Sequence, residues 1–479
     1  MNLSFGGVEI IFFLTLAITF IAAYLGRKHS KSHANGLASE NLNKWLIGLS
    51  AGATANSGFI VTGAVGLGYL YGPQWLFLPI SWFLGDLVFW KFVPQRINAV
   101  GKASGATTLS ELLSSGLNCK AAKAASILAT LLIVICLGGY TSAQWLAGQK
   151  FVAGAFDLSP NISLILFAFL IVAYTGIGGF RGSVYADAVQ AVIRLLGTLL
   201  SLVAIIWFAY SDQSQVLQNW SNAGESFAQW LPGNTLWAVL FFILGYMFAS
   251  FGFGLGQPQL VSRYLAGSSP EETKAAKWIY IGFVQFTWIS MTLFGVLLRG
   301  VMPDISDPEA GLSIFFKTYF GTILTGIIVA DIFATIAATS NSLLVSMAQA
   351  ISHDFFTNEM QQKYQKILTT SIVFVLGILT MIGASTLAQQ NTVFSLAIGS
   401  VSIMGAGLAA PVLIKIFDIQ RTGFSLLCSI IAGLLSAIVW KLYGFDQIIN
   451  EAATGIVIGL ITNWVLVNRL GLKPVDKMA

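Results

Sequence analysis

Charge is what this chain has least of. Of its 479 residues only 9% are Asp, Glu, Lys or Arg, against roughly 25% in an ordinary soluble protein. A soluble domain so poor in charge could not cover its own surface, so a cytosolic enzyme and a disordered chain are both excluded. Cysteine is equally scarce. Cys119, Cys136 and Cys428 are far apart and odd in number, which rules out a disulfide framework and offers no metal-ligating spacing. No histidine falls inside an apolar run, so the commonest near-neutral proton carrier is missing from the spans. Neither a phosphate-cradling Gly-Lys-Ser/Thr loop nor a nucleophile elbow occurs. Gly252-Phe-Gly-Leu-Gly256 superficially matches a dinucleotide loop, but it lies inside an apolar run with no strand before it. ATP-driven transport and enzymatic chemistry find no support, and no cofactor is expected.

What is abundant is apolar sequence. Hydrophobic residues make up 56% of the chain and the mean hydropathy is +0.77. A membrane-spanning helix needs about 20 apolar residues, and thirteen windows qualify, near 7–25, 45–71, 73–93, 122–154, 160–177, 183–210, 233–262, 274–299, 320–350, 366–388, 391–417, 422–443 and 447–468. The expected class is an all-α polytopic membrane protein, with the lipid bilayer as its main partner. No Lys or Arg precedes the first window, and Arg27, Lys28 and Lys31 follow it. It therefore reads as a retained helix with its N-terminus outside, not as a signal peptide. On that topology twenty of the 25 Lys and Arg face the cytoplasm, and Lys150, Arg299, Lys317 and Lys441 face out. This is the positive-inside pattern, expected of a protein in a bacterial inner membrane with a cytoplasmic C-terminus. It also accounts for the net charge of +5 without a nucleic-acid partner. Thr108-Leu-Ser-Glu-Leu-Leu113 is expected to lie on the cytoplasmic face. The acidic loop with Asp304, Asp307 and Glu309 is expected to be solvated.

Two windows are interrupted in corresponding places. The second contains Ser50-Ala-Gly-Ala-Thr-Ala-Asn-Ser-Gly58 and the seventh Ala249-Ser-Phe-Gly-Phe-Gly-Leu-Gly-Gln-Pro258. Freed backbone groups are not tolerated in lipid, so such breaks suggest backbone lining an enclosed cavity; the plainer alternative is tight packing of small residues. The breaks open two successive five-span blocks of opposite direction, the pattern of inverted repeats around a central site. The expected division is a peripheral helix and loop (1–44), a first repeat (45–210), a second repeat (233–417) and two peripheral helices with a tail (422–479).

At these residues the chain resembles the sodium/solute symporter family, in its proline-permease branch. The motifs are Leu49-Ser-Ala-Gly-Ala with Ser57-Gly58, the turn Gly178-Gly-Phe-Arg-Gly-Ser-Val-Tyr-Ala-Asp187-Ala-Val-Gln190, and Gly256-Gln-Pro-Gln-Leu-Val-Ser-Arg263-Tyr. Ala186 stands where the family has Thr, and Gln259 where it has His. The resemblance implies a leucine-transporter-type core of two inverted five-helix repeats. It implies symport of sodium with a small organic solute, such as proline or a small carboxylate, by alternating access. It further implies a sodium site of carbonyls from Ala53, Asn56 and Thr335 and hydroxyls at positions 338 and 339. Counting back from His353-Asp354, those positions hold Ala338 and Thr339, so one hydroxyl is missing. An Asp typical of proline-type members is likewise absent at Ala55. Asp187 matches a position on the family's sodium exit route.

The residues themselves give a similar picture. Thr335, Thr339, Ser342 and Ser346 recur at helical spacing as one polar stripe, offering the oxygen ligands a hard cation takes. The alternative is that these hydroxyls bond back to their own helix. Asp187 is expected to reach Arg181 or solvent, or to pair with Arg194 one face-repeat on; Arg194 touching an anionic solute stays open. Asp331 continues the stripe, and neither it nor Asp86 has an evident partner. Candidates for contacting solute are Ser57, Tyr140, Thr141, Gln144, Phe253 and Gln257. Besides sodium symport, the sequence leaves open proton-coupled or uncoupled transport, and a transporter-like sensor or subunit whose protein partner is unknown.

Overall fold

The computed structural model describes residues 6–28, 41–356, 358–387 and 392–469; Lys31 and the tail after Arg469 lie outside them. Among the described residues every regular element is helical, and the one strand-like pairing is an isolated bridge between Leu42 and Gly267. The chain begins with α1 (Gly7–Lys28). The second window divides into α2 (Lys44–Ala55), a single turn over Gly58–Val61, and α3 (Gly63–Tyr71). Then come α4 (Phe77–Phe92), the short α5 (Leu109–Ser114), α6 (Lys120–Phe156) and α7 (Pro160–Ser211). The seventh window becomes α8 (Leu236–Gly256) and α9 (Pro258–Leu265). The long helices that follow are α10 (Lys277–Val301), α11 (Thr322–Phe355), α12 (Asn358–Leu387), α13 (Val393–Ile416), α14 (Gly423–Leu442) and α15 (Glu451–Trp464), and shorter helices at Pro94–Ser104, Gln213–Asn222, Pro270–Ala275 and Gly311–Tyr319 lie in the connections.

Eleven helices among the described residues are long and apolar enough to cross a membrane, and two shorter apolar ones occupy Gly58–Tyr71 and Pro160–Ala173. The expected count of thirteen is therefore approximate. Two of the expected spans run together in α7, where Gly179 turns the chain at φ 61°. That left-handed conformation is cheap for glycine alone.

Local chemistry sets the ends of these helices. Asn43 caps α2 by accepting from the Leu46 N–H. Thr108 and Glu111 form a reciprocal capping box on α5, which satisfies two donors that a helix start leaves free. Burial then sorts the helices into core and rim. Only 17% of the most apolar stretch of α1 is buried, against 72% in α11 and in α13. Helix α1 thus meets lipid, while α11 and α13 form the centre.

Glycine brings α3 and α10 into backbone contact. A Cβ on Gly68 would lie 2.2 Å from the Thr292 carbonyl oxygen, and one on Gly295 2.1 Å from that of Val65. Such small-residue contact is how helices associate where water supplies no hydrophobic drive. The acidic loop is not simply solvated: Lys150 on α6 holds Asp307 at 3.1 Å and Glu309 at 2.7 Å, and Glu309 is buried. Nor does α5 merely lie on a surface, since Leu109, Leu112 and Leu113 are buried.

Candidate functional site

The first break is built from Asn56 and Ser57. Helix α2 stops at Ala55, and Ser57 is extended (φ −73°, ψ 180°), accepting from the Phe59 N–H as cap of the next turn. The Gly58 N–H, freed by the break, donates to Gln144 Oε1 of α6 at 2.8 Å. Carbonyls in the last turn of α2 consequently lack helical partners. One of them, on Thr54, accepts a hydrogen bond of 3.0 Å from Thr339 Oγ1 of α11. The hydroxyl stripe of α11 is thereby docked onto the broken end of α2. The second break lies at Gln257, extended at φ −90° and ψ 103°, with Pro258 opening α9.

The residues expected around sodium lie on α11 and at the end of α2, which the bond between Thr339 and the Thr54 carbonyl joins. Ala53, Asn56, Thr335, Ala338 and Thr339 are all buried. Thr335 Oγ1 bonds back to the Asp331 carbonyl at 2.9 Å, which leaves its own hydroxyl engaged. Asn56 Nδ2 is tied to Thr287 Oγ1. Ala338 contributes no oxygen from its side chain.

Directly beneath is a charged cluster. Asp187 Oδ2 accepts from Arg263 Nη2 at 3.0 Å, Ser50 Oγ at 2.7 Å and Thr54 Oγ1 at 3.4 Å. Arg263 also donates to Ser342 Oγ at 2.7 Å and, through Nε, to Ser50 Oγ at 3.1 Å. Its guanidinium faces the Phe180 ring. This corrects the expected partners. Asp187 is fully buried and paired with Arg263 of α9, not with solvent, Arg181 or Arg194. Arg194 pairs instead with Asp331 of α11 at 2.7 Å. Ser342 lies inside the charged cluster. Asp86 accepts from Ser250 Oγ at 2.8 Å.

Of the six solute candidates, Ser57, Tyr140 and Phe253 line one cavity of about 30 Å³, together with Phe59, Trp82, Tyr280 and Trp288. The other three are engaged elsewhere. Thr141 bonds back to the Leu137 carbonyl, Gln144 supports the break, and Gln257 Oε1 accepts from Gln259. Trp82, Tyr280 and Trp288 were not foreseen, because in a chain with 13% aromatic residues nothing in the sequence separates a cavity ring from a packing ring. Edge-on contacts join Trp82 to Phe253 and to Trp288 at centroid distances of 5.4 and 5.3 Å. No charged side chain lines the cavity. A single water occupies about 10–15 Å³ on this scale, so the space holds a few waters.

Two larger hollows flank the centre. One, of about 350 Å³, is lined by Trp75 and Phe242, and Phe394 separates it from the cavity by packing on Trp75 and Phe59. The other, of about 370 Å³, lies beside Lys123, His353 and Asp354. There the end of α11 is fastened to α5 by His353 Nδ1, 3.1 Å from Glu111 Oε1. Burial would raise the Glu111 carboxyl, but hydrogen bonds from His353 and Thr107 reverse this and hold it at about 2.

Comparison with known proteins gives three findings. A model of the sodium:solute symporter family matches residues 36–433. A sodium/proline symporter of Staphylococcus aureus is 24% identical, over 97% of this chain and 92% of its own. Among solved structures, an outward-open, substrate-bound sodium-coupled sialic acid symporter superposes with a TM-score of 0.79 at 18% identity, over 99% of both chains. Inward-facing Mhp1 superposes at 0.55 and 12% identity, over 93% of this chain and 98% of its own. At these identities the two structures speak for the fold alone, which is of the leucine-transporter type.

Proposed function

This chain belongs to the sodium:solute symporter family, and from that premise we propose that its cargo is a small amino acid of the size of proline. It is a polytopic membrane transporter rather than an enzyme, with sodium as the coupling ion. The observation that carries the choice of cargo is the cavity at the first break, walled by aromatic rings and free of charged side chains. Aromatic faces attract an ammonium group and the apolar edge of a small ring. A polyhydroxylated solute would demand more hydrogen-bonding side chains than Ser57, Tyr140, Tyr280 and the Trp82 and Trp288 indoles offer. The name of the Staphylococcus aureus relative agrees with this reading.

The sodium ion sits between the carbonyls of Ala53, Asn56 and Thr335 and the hydroxyl of Thr339, with Ala338 leaving the set one oxygen short. The bond between Thr339 and the Thr54 carbonyl supports this, because it puts the hydroxyl stripe against the broken helix. The Asp187 cluster lies on the ion's way out. Residues 45–210 and 233–417 form the two inverted repeats. The placement of Lys and Arg supports an outer N-terminus, a cytoplasmic C-terminus and residence in a bacterial plasma membrane. Entry of one cation yields about 2.3 kcal/mol per 100 mV, which drives accumulation of the solute. Uptake of labelled proline into proteoliposomes, with sodium, proton and voltage gradients imposed separately, tests this. Uptake should follow the sodium gradient and be competed by small amino acids. Sodium-driven uptake that ignores every amino acid would overturn the cargo, and uptake indifferent to sodium would overturn the coupling.

A further inference from the structure

A second buried ion pair lies on the other side of the proposed sodium residues. Arg194 Nη1 is 2.7 Å from Asp331 Oδ2, and the two side chains are 2% and 0% exposed. Among the described residues nothing else neutralises this guanidinium: its Nε and Nη2 atoms are buried without a hydrogen-bond partner. The carboxylate is closely seated. A Cβ on Gly197 would come within 2.3 Å of Asp331 Oδ2, so the glycine makes room for the pair. Asp331 also sits one turn from Thr335, whose hydroxyl donates to the Asp331 carbonyl at 2.9 Å and lies 3.5 Å from Oδ1.

At a rise of 1.5 Å per residue, Asp331 and its partner stand within about 6–12 Å of Thr335 and Thr339. A bare guanidinium at that range, in a medium of low dielectric, repels an incoming cation strongly. The ion region can ill tolerate such repulsion, since it has alanine at both 55 and 338 and draws no negative charge from either position. We propose that Asp331 sets sodium affinity by masking the charge of Arg194, so that a cation can settle on α11. Asp331 need not touch the ion; it acts through Arg194. The proposal rests on the reading that sodium binds along Thr335 and Thr339.

The test is a sodium titration of thermal unfolding on purified full-length protein, with N-methylglucamine as replacement cation, repeated as sodium-dependent uptake. Four proteins are compared: wild type, Asp331→Asn, Arg194→Gln and the double variant. Asp331→Asn should raise the half-saturating sodium concentration by roughly tenfold, while Arg194→Gln should lower it. The double variant should return to within about threefold of wild type. The affinity for solute at saturating sodium should be unaffected by either single change. A merely structural pair predicts that both single variants weaken sodium and solute alike, and that result overturns the proposal. So does an Asp331→Asn titration that superposes on wild type. If Asp331→Asn does not fold, Arg194→Gln must still bind sodium more tightly than the double variant, and equality sinks the idea. A wild-type protein insensitive to sodium would instead remove the underlying ion site, an outcome distinct from any of these.

Discussion

Arg263 Nη2 lies 3.0 Å from Asp187 Oδ2 and 2.7 Å from Ser342 Oγ, so one guanidinium ties α9 to both α7 and α11 beneath the first break. Removing one partner of a buried pair strands the other charge and typically costs 3–5 kcal/mol. Asp187→Asn and Arg263→Gln should therefore each lower the thermal midpoint markedly, while the double variant recovers a large part of the loss. Thermal unfolding of the three proteins in one detergent decides this. Additive losses would mean that the pair contributes nothing as a pair.

Thr339→Ala should abolish most sodium stimulation of uptake, and Thr339→Ser should retain it. Ser342→Ala, by contrast, takes an acceptor from Arg263 without touching the Thr54 carbonyl. It should cost about 1–3 kcal/mol of stability and shift the sodium response less than Thr339→Ala does. Ala338→Ser should tighten sodium binding if its niche admits the extra oxygen. Dose–response curves for the four variants separate these effects, and an unchanged response in Thr339→Ala would discard the register along α11.

Gly295→Ala should destabilise more than an alanine in an exposed helix ever could. Its Cβ would meet the Val65 carbonyl at 2.1 Å, and backbone cannot step aside as a side chain can. Gly282, with nothing within 4 Å of its Cβ position, is the control: Gly282→Ala should be neutral or slightly stabilising, since alanine favours helix. Equal thermal midpoints for the two variants would contradict the close packing of α3 on α10.

Acid should loosen α5. The Glu111 carboxyl is held at about 2, below its ordinary value, so its stabilisation is complete above roughly pH 5 and is lost as the pH falls toward 2. Glu111→Gln keeps a side-chain oxygen able to complete the capping box, so this variant removes the charge and little else. The gap in thermal midpoint between wild type and Glu111→Gln should be largest near pH 5.5–6, where His353 is protonated and Glu111 ionised, and should narrow both toward pH 3 and as His353 loses its proton toward pH 8. A gap that does not narrow between pH 5.5 and 3 would show the carboxylate to be unimportant.

Helix positions, both breaks and the hydroxyl stripe were legible from the sequence because each follows from a one-dimensional pattern: apolar runs, glycine and proline in matching windows, a period near 3.6. Charge partners were not. Arg194 and Asp187 share a helical face, which made them look like each other's partners. Each instead reaches across to another helix, and that choice depends on how helices cross. Ser57 and Phe253 lie at the two breaks and Tyr140 on α6, and the three share one cavity lining. Trp82, Tyr280 and Trp288 come from spans with no distinguishing signal, and only packing assembles them into a cavity. Thr141 and Gln144 both serve backbone, the one its own helix and the other the freed Gly58 N–H.

The glycine seam between α3 and α10 has a mechanical corollary. At Gly68 and Gly295 no side chain separates the two helices, so sliding there means backbone colliding with backbone. The two must travel as one body. The contacts of α2 and α9 with α7 and α11, in contrast, are hydroxyls and a guanidinium, groups that can exchange one acceptor for another over short distances at little cost. Motion that exposes the centre to either side is thus channelled into the polar seam, beside the proposed sodium site, and an ion bound there would be the fastener that decides when that seam opens.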